Sequence, residues 1–338
     1  MNILITGCAG FIGFHLTKSL IKLDHNIIGI DNINNYYDVN LKFSRLEKLG
    51  INKCDAKVFF NEVKSQINPQ LTFTRLDLVD FKKLESIFLN KKNDLVINLA
   101  AQAGVRYSIE NPMAYLESNI IGFSNLIECV KHFKITKFIY ASSSSVYGNN
   151  SSIPFKETDN VQNPVSLYAA TKVSNELIAK VYSDLYNINS IGLRFFTVYG
   201  PWGRPDMAYF SFTNAIINDE EILIYNNGNL ERDFTYIDDV ITGLIEIVEG
   251  DFSLVKNHEI FNIGRGKPVS LIYFVKTLER TIGKKAKTKM VGMQPGDVNV
   301  TFSDTKKLEK IYNYKPNTNF ETGLSNFYNW YKNFYNEK

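Results

Sequence analysis

The first two hundred residues alternate between short apolar runs and longer stretches in which apolar residues recur at helical spacing. The short runs predict buried strands at 2–6, 26–30, 72–76, 95–99, 137–141 and 190–195. The longer stretches predict helices at 11–23, 112–132 and 168–186. Strands and helices that alternate in this way predict an α/β fold with an open parallel sheet that is doubly wound, with helices on both faces.

The pattern changes at Thr197, where glycine and proline residues form a loop-rich stretch. Beyond it the chain predicts strands at 222–225 and 260–263 and helices at 238–248 and 271–282. We therefore expect one domain over residues 1–196. Residues 197–338 are expected to form mainly a smaller, substrate-binding lobe, with some segments that return to the sheet.

Three glycines, Gly7, Gly10 and Gly13, follow the first predicted strand and open the first predicted helix at Phe11 and Ile12. The second strand then ends at Asp31. Strand, glycine loop, helix, strand and acid form the βαβ unit of a Rossmann-type dinucleotide site, in which the loop and the helix N-terminus approach the pyrophosphate. An acid at that place bonds the adenosine ribose and repels a 2′-phosphate, so NAD is favoured over NADP.

Other residues at the ends of predicted strands extend this nucleotide site. Asp77 and Leu78 follow the third strand and are expected at the adenine edge, and Asn32 follows Asp31. Small residues, Ala100 and Ala101, follow the fourth strand, where they allow a cofactor or substrate to lie close to the backbone. All these residues are predicted to contact NAD.

Tyr168 and Lys172 are spaced i, i+4 at the start of a predicted helix, so the phenol and the ammonium group share one face. A serine run, 142–145, ends the strand before it. A nearby cation favours the phenolate, and a hydroxyl donor can complete a proton path, so these residues suit a tyrosine that acts as a base. Chance occurrence of the spacing on an ordinary amphipathic helix is the competing interpretation.

Composition excludes several classes of function. The net charge of +3 over 338 residues gives no basis for nucleic-acid binding. Three scattered cysteines and four histidines predict neither a disulfide framework nor a metal site. No apolar run approaches the roughly 20 residues that span a bilayer, and the N-terminus enters a strand at once. We therefore expect a cytoplasmic protein with no membrane partner.

Taken together, these motifs resemble the extended short-chain dehydrogenase/reductase superfamily, and within it the nucleotide-sugar epimerases and dehydratases. The resemblance rests on TGCAGFIG (6–13), SSxxVYG (142–148), the Tyr168-xxx-Lys172 pair, and RDF followed by DDV (232–240). Longer blocks are similar to UDP-glucuronate 4-epimerases: DNINNYYDVNLKFSRL (31–46), AAQAGVRYSIENP (100–112), RFFTVYGPWGRPDMA (194–208) and MQPGDV (293–298). The resemblance covers essentially the whole chain.

This resemblance implies a reversible inversion at C4 of a UDP-sugar, most simply of UDP-glucuronate to UDP-galacturonate, with NAD retained by the enzyme. Tyr168 as phenolate would take the proton of the 4-hydroxyl while the C4 hydride goes to the nicotinamide. The 4-keto sugar would then rotate and receive the hydride on its other face. Lys172 would lower the pKa of Tyr168 and bond the nicotinamide ribose. Ser143 is the expected hydroxyl relay, with Ser142 and Ser144 as competitors.

The same resemblance implies a set of substrate contacts. Arg204 is the expected partner of the uronate carboxylate, with Thr197 beside it, since arginine binds carboxylates in a bidentate manner. Arg232 resembles a diphosphate clamp and Asp297 a uridine-ribose contact. Arg106 has three open roles: to orient a loop, to pair with phosphate, or to bond the sugar acid. A homodimer through helices 112–132 and 168–186 is also implied.

Other functions compete with this interpretation. A 4-epimerase of UDP-N-acetylglucosamine, of its uronate, or of UDP-glucose would use the same machinery, although galactose-type enzymes usually carry Asn at Thr197 and Arg at Gln294. A 4,6-dehydratase or a decarboxylase usually places an acid at the serine site, which here reads Ser144-Ser145. A non-catalytic NAD-sensing protein on the same fold is disfavoured by the intact serine, tyrosine and lysine.

Overall fold

The computed structural model of this chain describes residues 1–294 and 296–336. Its strands are β1 (Asn2–Thr6), β2 (Asn26–Asp31), β3 (Glu62–Lys64), β4 (Leu71–Arg75), β5 (Leu95–Asn98), β6 (Lys137–Ser143), β7 (Asn189–Phe195), β8 (Thr197–Tyr199), β9 (Glu221–Ile224), β10 (Glu231–Tyr236), β11 (His258–Ile263), β12 (Pro268–Ser270) and β13 (Lys287–Met290). Its helices are α1 (Phe11–Ile21), α2 (Val39–Lys48), α3 (Lys53–Ala56), α4 (Phe81–Asn90), α5 (Tyr107–Glu110), α6 (Pro112–Tyr115), α7 (Phe123–His132), α8 (Leu167–Tyr186), α9 (Ala208–Ile217), α10 (Ile237–Glu249), α11 (Leu271–Ile282), α12 (Lys306–Tyr312) and α13 (Phe320–Asn336).

The described residues build a central eight-stranded sheet in the order β11-β7-β6-β5-β1-β2-β4-β3. Its strands are apolar on both faces because helices cover both, and two separate buried clusters lie on its two sides. The chain moves outward from β1 through β2 to β4 and then returns to place β5 on the other side of β1. This reversal opens a crevice at the carboxyl ends of β1 and β5, where ligands bind in such sheets. The predicted doubly wound α/β fold is confirmed.

One edge of the sheet differs from the expectation of parallel strands alone. Strand β3 pairs antiparallel with β4, with Val63 opposite Phe73. Its three residues show too short an alternation to be recognised in the sequence, since only Val63 is buried. At the other edge, β11 pairs parallel with β7, so this part of the C-terminal third lies in the main sheet.

The long helix predicted at 112–132 contains a change of helix type. A π-helical stretch, Leu116–Gly122, joins α6 to α7. Within it, the Asn119 amide donates to Gln102 O at 3.0 Å and to Thr171 Oγ1 at 3.1 Å, and it accepts from Gln102 N at 2.8 Å. These bonds tie the loop after β5 to α8. Such π-helical bulges are frequent at functional sites, and this one fixes the floor of the crevice.

Two small sheets form the rest of the structure, one in the order β12-β10-β8 and the other of β13 and β9. The buried carboxylate of Asp233 in β10 accepts hydrogen bonds from the backbone N–H groups of Arg265, Gly266 and Ser303. Burial raises the pKa of Asp233, while these bonds act in the opposite direction. This carboxylate holds three chain segments together directly beside Arg232. None of the helices described is long and apolar enough to cross a bilayer.

Candidate active site

A deep cleft opens at the carboxyl ends of β1, β5 and β6 and extends to the segments after β8 and around residue 297. Every predicted site residue except Arg106 lines it. These lining residues are Gly7, Gly10, Phe11, Ile12, Gly13, Asp31, Asn32, Asp77, Leu78, Ala100, Ala101, Ser142, Ser143, Ser144, Tyr168, Lys172, Thr197, Arg204, Arg232 and Asp297. The fold therefore brings residues that are nearly 300 positions apart into one continuous site.

The glycine loop lies against the backbone after β5. Gly7 has a positive φ of 73°, and a Cβ atom there would lie 2.7 Å from Ala100 N. A Cβ on Gly13 would lie 2.1 Å from Gly7 O, so only glycine lets α1 start this close to β1. The loop thus leaves room for a phosphate group at the N-terminus of α1, as a dinucleotide requires.

The acid at the end of β2 is held rigidly. Asp31 is buried and accepts hydrogen bonds from Ala9 N at 3.1 Å and from Ile33 N at 2.8 Å. Next to it, the Asn32 amide donates to Asp77 Oδ2 at 2.9 Å. Carboxylate oxygens fixed in this way face the cleft as acceptors for hydroxyl groups, so the residues fit the adenosine half of NAD.

Tyr168 and Lys172 lie in the first turns of α8, which begins after Ser166. The Ser166 hydroxyl accepts from Ala169 N at 3.1 Å and caps the helix. Lys172 Nζ donates to Ala141 O at 2.8 Å and lies 5.9 Å from the centroid of the Tyr168 ring. Burial lowers the pKa of Lys172 to about 8, with Glu176 acting in the opposite direction.

Burial raises the pKa of Tyr168, because a phenolate is costly in an apolar environment. The Ser143 hydroxyl and the positive charge of Arg204 lower it, and Asp206 raises it. A tyrosine base here therefore depends on neighbouring donors and charges to reach the phenolate form. The predicted effect of Lys172 on this pKa stays a prediction.

Hydrogen bonds distinguish the serines of the run 142–145 from one another. Ser142 Oγ donates to Glu176 Oε1 at 2.5 Å, and Glu176 in turn binds Arg194 through two contacts of 2.9 and 2.8 Å. This buried cluster engages the Ser142 hydroxyl on the side of α8. Ser143 Oγ accepts only from Ser145 N, at 3.2 Å, among the bonds of the described residues. The Ser143 hydroxyl can thus donate its proton to another group, such as Tyr168.

A charged group closes the far end of the cleft. Asp297 lies 3.7 Å from Arg232 Nη2 and 3.4 Å from Arg106 Nη2. Arg106 comes from the segment before α5 and stacks on Tyr225, with its guanidinium 5.0 Å from the ring centroid. Two cations thus flank one carboxylate across the cleft, and Arg106 reaches it from outside the lining surface.

Sequence reasoning identified Arg204 but missed its neighbours. Arg204 forms a bidentate ion pair with Asp206, and the Tyr36 hydroxyl donates to Asp206 at 3.2 Å. Lys42 also lines the cleft, where it is buried and donates to Asn34 Oδ1 at 2.7 Å. The acid two residues after Arg204 was a visible signal for the ion pair, whereas the sequence alone could not reveal the contact with Tyr36.

A glycine loop between β1 and α1, an acid at the end of β2, and a buried tyrosine and lysine beside a serine define a class of protein. This class is the dinucleotide-dependent enzymes of the short-chain dehydrogenase/reductase type. The family described as GDP-mannose 4,6 dehydratase matches residues 4–327, and the chain belongs to it.

Relatives narrow this assignment. The chain is 47% identical to "Protein CapI" of Staphylococcus aureus over 99% of both chains. It is 41% identical to the probable UDP-glucuronate 4-epimerase of Rhizobium meliloti, over 98% of this chain and 97% of that protein. The crystal structure of UDP-glucuronic acid 4-epimerase from Bacillus cereus, in complex with UDP-glucuronic acid and NAD, superposes with a TM-score of 0.88 at 33% identity and covers 99% of this chain and 100% of that chain. The resemblance found in the sequence is confirmed.

Proposed function

We propose that this protein catalyses the NAD-dependent, reversible C4 epimerisation of UDP-glucuronate to UDP-galacturonate. The observation that carries the proposal is that one cleft gathers Tyr168, Ser143 and Lys172 at the dinucleotide loop, with Arg204 facing the same space. The relatives of this chain that are named UDP-glucuronate 4-epimerases support the same substrate.

In this proposal Tyr168 is the base that takes the proton from the 4-hydroxyl and later returns it. Ser143 orients that hydroxyl and donates to the phenolate, which lowers the cost of forming it in a buried site. Lys172, fixed by Ala141 O, supplies a cation on the same helix face. The intermediate is a 4-keto sugar that turns within the cleft between the two halves of the reaction.

The dinucleotide site supports bound NAD, which supplies an acceptor and later a donor for the C4 hydride. Gly7, Gly10 and Gly13, with the N-terminus of α1 at Phe11 and Ile12, would hold its pyrophosphate. Asp31 would bond the adenosine ribose, and Asn32, Asp77 and Leu78 would border the adenine. Ala100 and Ala101 leave space beside the backbone, and Lys172 would bond the nicotinamide ribose.

The substrate residues divide by the charge that they would meet. Arg204, with Thr197 beside it, would bind the sugar carboxylate, since a guanidinium edge matches a carboxylate. Arg232 and Arg106, on opposite sides of Asp297, would share the diphosphate, and Asp297 would accept from the uridine ribose. Ser142 and Ser144 would complete the sugar pocket near Ser143. Residues 1–196 would thus carry the cofactor and the base, and residues 197–338 most of the contacts to UDP.

The experiment is a panel of UDP-sugars assayed with purified protein and its Arg204→Ala variant. We expect conversion of UDP-glucuronate by the wild type, and a selective loss of this conversion in the variant. Faster turnover of UDP-glucose or UDP-N-acetylglucosamine than of UDP-glucuronate would refute the substrate. Equal losses on acidic and neutral sugars in the variant would mean that Arg204 binds phosphate instead.

We also propose a homodimer through the helices predicted at 112–132, which contains the π-helical stretch, and at 168–186, which corresponds to α8. Their shared outer face exposes Leu116, Leu177, Val181 and Leu185, and Leu177 and Leu185 are 63% and 66% exposed. A contiguous apolar face of this kind is unusual on a monomer and supports a self-complementary contact with a second copy.

The cysteines, all unpaired, are consistent with the cytoplasm that we propose as the location.

A further inference from the structure

The guanidinium of Arg204 is held by Asp206, which is itself bound by Tyr36. Its Nε donates to Asp206 Oδ1 at 3.0 Å and its Nη2 donates to Asp206 Oδ2 at 2.6 Å. The Tyr36 hydroxyl donates to Asp206 Oδ2 at 3.2 Å. Tyr36 precedes α2, whereas Asp206 follows β8, so the Tyr36–Asp206 bond joins the two sides of the cleft. Arg204 and Tyr36 line the cleft, whereas Asp206 is not among its lining residues.

The donors of Arg204 are divided between two directions. A guanidinium has five N–H groups, and an edge with two parallel N–H groups matches one carboxylate. Asp206 occupies the edge formed by Nε and Nη2, and Nη2 also approaches Met207 Sδ at 3.9 Å. Nη1 has no hydrogen-bond partner in residues 1–294 and 296–336. The edge that includes Nη1 is therefore available to a second carboxylate.

The same ion pair balances charge around Tyr168. Arg204 and Asp206 act on the Tyr168 pKa in opposite directions. The other groups that face Tyr168 are the Ser143 hydroxyl, the Lys172 ammonium at 5.9 Å from its ring centroid, and the Tyr115 ring at 6.0 Å. Asp206 is the carboxylate that raises the Tyr168 pKa, and Glu176 is the carboxylate that acts on Lys172.

We propose that Asp206, fixed by Tyr36, is a positioning residue that turns the free edge of Arg204 toward the sugar carboxylate and offsets part of its charge. The sugar carboxylate is then bound by Arg204, but not so tightly that the 4-keto sugar cannot turn. This inference rests on the proposed function, because it takes the substrate to be a uronate. It adds that selectivity and turnover depend on a carboxylate that does not touch the substrate.

Asp206→Asn tests the charge while keeping an acceptor for Arg204. The Tyr168→Phe substitution stops turnover. In this background, loaded with NAD, calorimetry measures the binding of UDP-glucuronate and of UDP-glucose. We expect Asp206→Asn to bind UDP-glucuronate about fivefold more tightly, the size expected when one nearby charge is removed at a partly solvated site. UDP-glucose affinity should not change, which also shows that the variant is folded. Asp219→Asn removes an equal charge from an exposed ion pair with Lys284 and is the matched control.

A second readout separates charge from simple structural support. With Tyr168 intact, the acid limb of the kcat–pH profile should move to lower pH in Asp206→Asn, because the carboxylate that raises the Tyr168 pKa is gone. Tyr36→Phe removes the hydrogen bond that fixes Asp206, so it should weaken UDP-glucuronate binding severalfold. It leaves all charges in place, so the acid limb of the kcat–pH profile should not move.

The outcomes are distinct. Weaker or unchanged UDP-glucuronate binding in Asp206→Asn, or an acid limb that stays in place, would overturn the role of Asp206. Unchanged binding in Tyr36→Phe would overturn the role of Tyr36. If the parent Tyr168→Phe protein does not prefer UDP-glucuronate to UDP-glucose at all, the proposed substrate fails instead.

Discussion

Replacing Lys172 by methionine should make the folded protein more stable while it removes the activity. Lys172 is buried, and burial lowers its pKa from 10.5 to about 8. Since each unit of pKa shift corresponds to about 1.36 kcal/mol, charging Lys172 in the folded state costs about 3 kcal/mol. Methionine removes that cost but leaves the Ala141 carbonyl without its donor, a loss of about 1 kcal/mol. We expect a net gain of about 2 kcal/mol at neutral pH.

The pH dependence gives this prediction its sign. The lysine is charged in both states below pH 8, so the wild type carries the full cost there. As the pH rises from about 8 to 10.5, the folded protein loses the proton before the unfolded chain does, and the cost disappears. The advantage of Lys172→Met should therefore be largest near pH 7 and nearly absent by about pH 9.5.

Denaturant unfolding of nucleotide-free protein at several pH values measures this difference, and an epimerase assay measures the activity. Lys180→Met is the matched control, because Lys180 lies on the same helix but is exposed beside Asp184. It should change stability by no more than about 0.5 kcal/mol. A Lys172→Met protein that is less stable than the wild type at pH 7, or an advantage that grows with pH, would refute the reasoning.

Three further predictions concern a buried ion pair, the Ser143 hydroxyl and the proposed dimer face. Glu176→Gln should lower the free energy of unfolding by about 3–5 kcal/mol, because it leaves the buried Arg194 without its partner; denaturant unfolding measures this, and a loss below 1 kcal/mol would contradict it. Ser143→Ala should move the acid limb of the kcat–pH profile to higher pH, since its hydroxyl lowers the Tyr168 pKa; a fall in kcat with no shift would count against this role. Leu177→Lys should yield monomers in analytical ultracentrifugation, and a dimer unaffected by this change would place the interface elsewhere.

The local parts of the site could be predicted from the sequence because their geometry depends on short spacings. The glycine loop, Asp31 and the Tyr168–Lys172 pair are each defined within one turn, one strand end or one helix face. The strands of the sheet were predictable for the same reason, since a run of apolar residues between helices has few alternatives. The short antiparallel β3 was not, because only one of its residues is buried.

The parts that escaped prediction are contacts between distant segments. Tyr36 reaches Asp206 across 170 positions, and Arg106 reaches Asp297 across 191. Nothing in the spacing of these residues indicates which partner each one meets, because the fold alone brings the segments together. The ion pair of Glu176 with Arg194 was also not predicted. Glu176 follows Lys172 by one helical turn, but its buried pairing with Arg194 depends on the position of β7.

The central claim is that this cleft inverts C4 of UDP-glucuronate with a cofactor that stays on the protein. The most direct measurement is to incubate purified protein with UDP-glucuronate, without added NAD, and to follow UDP-galacturonate by chromatography. The wild type should reach an equilibrium mixture from either sugar. The Tyr168→Phe variant should keep its NAD but turn over more slowly by about 10²–10⁴-fold, the usual contribution of a general base. Near-normal turnover by this variant, or no interconversion by the wild type, would contradict the account.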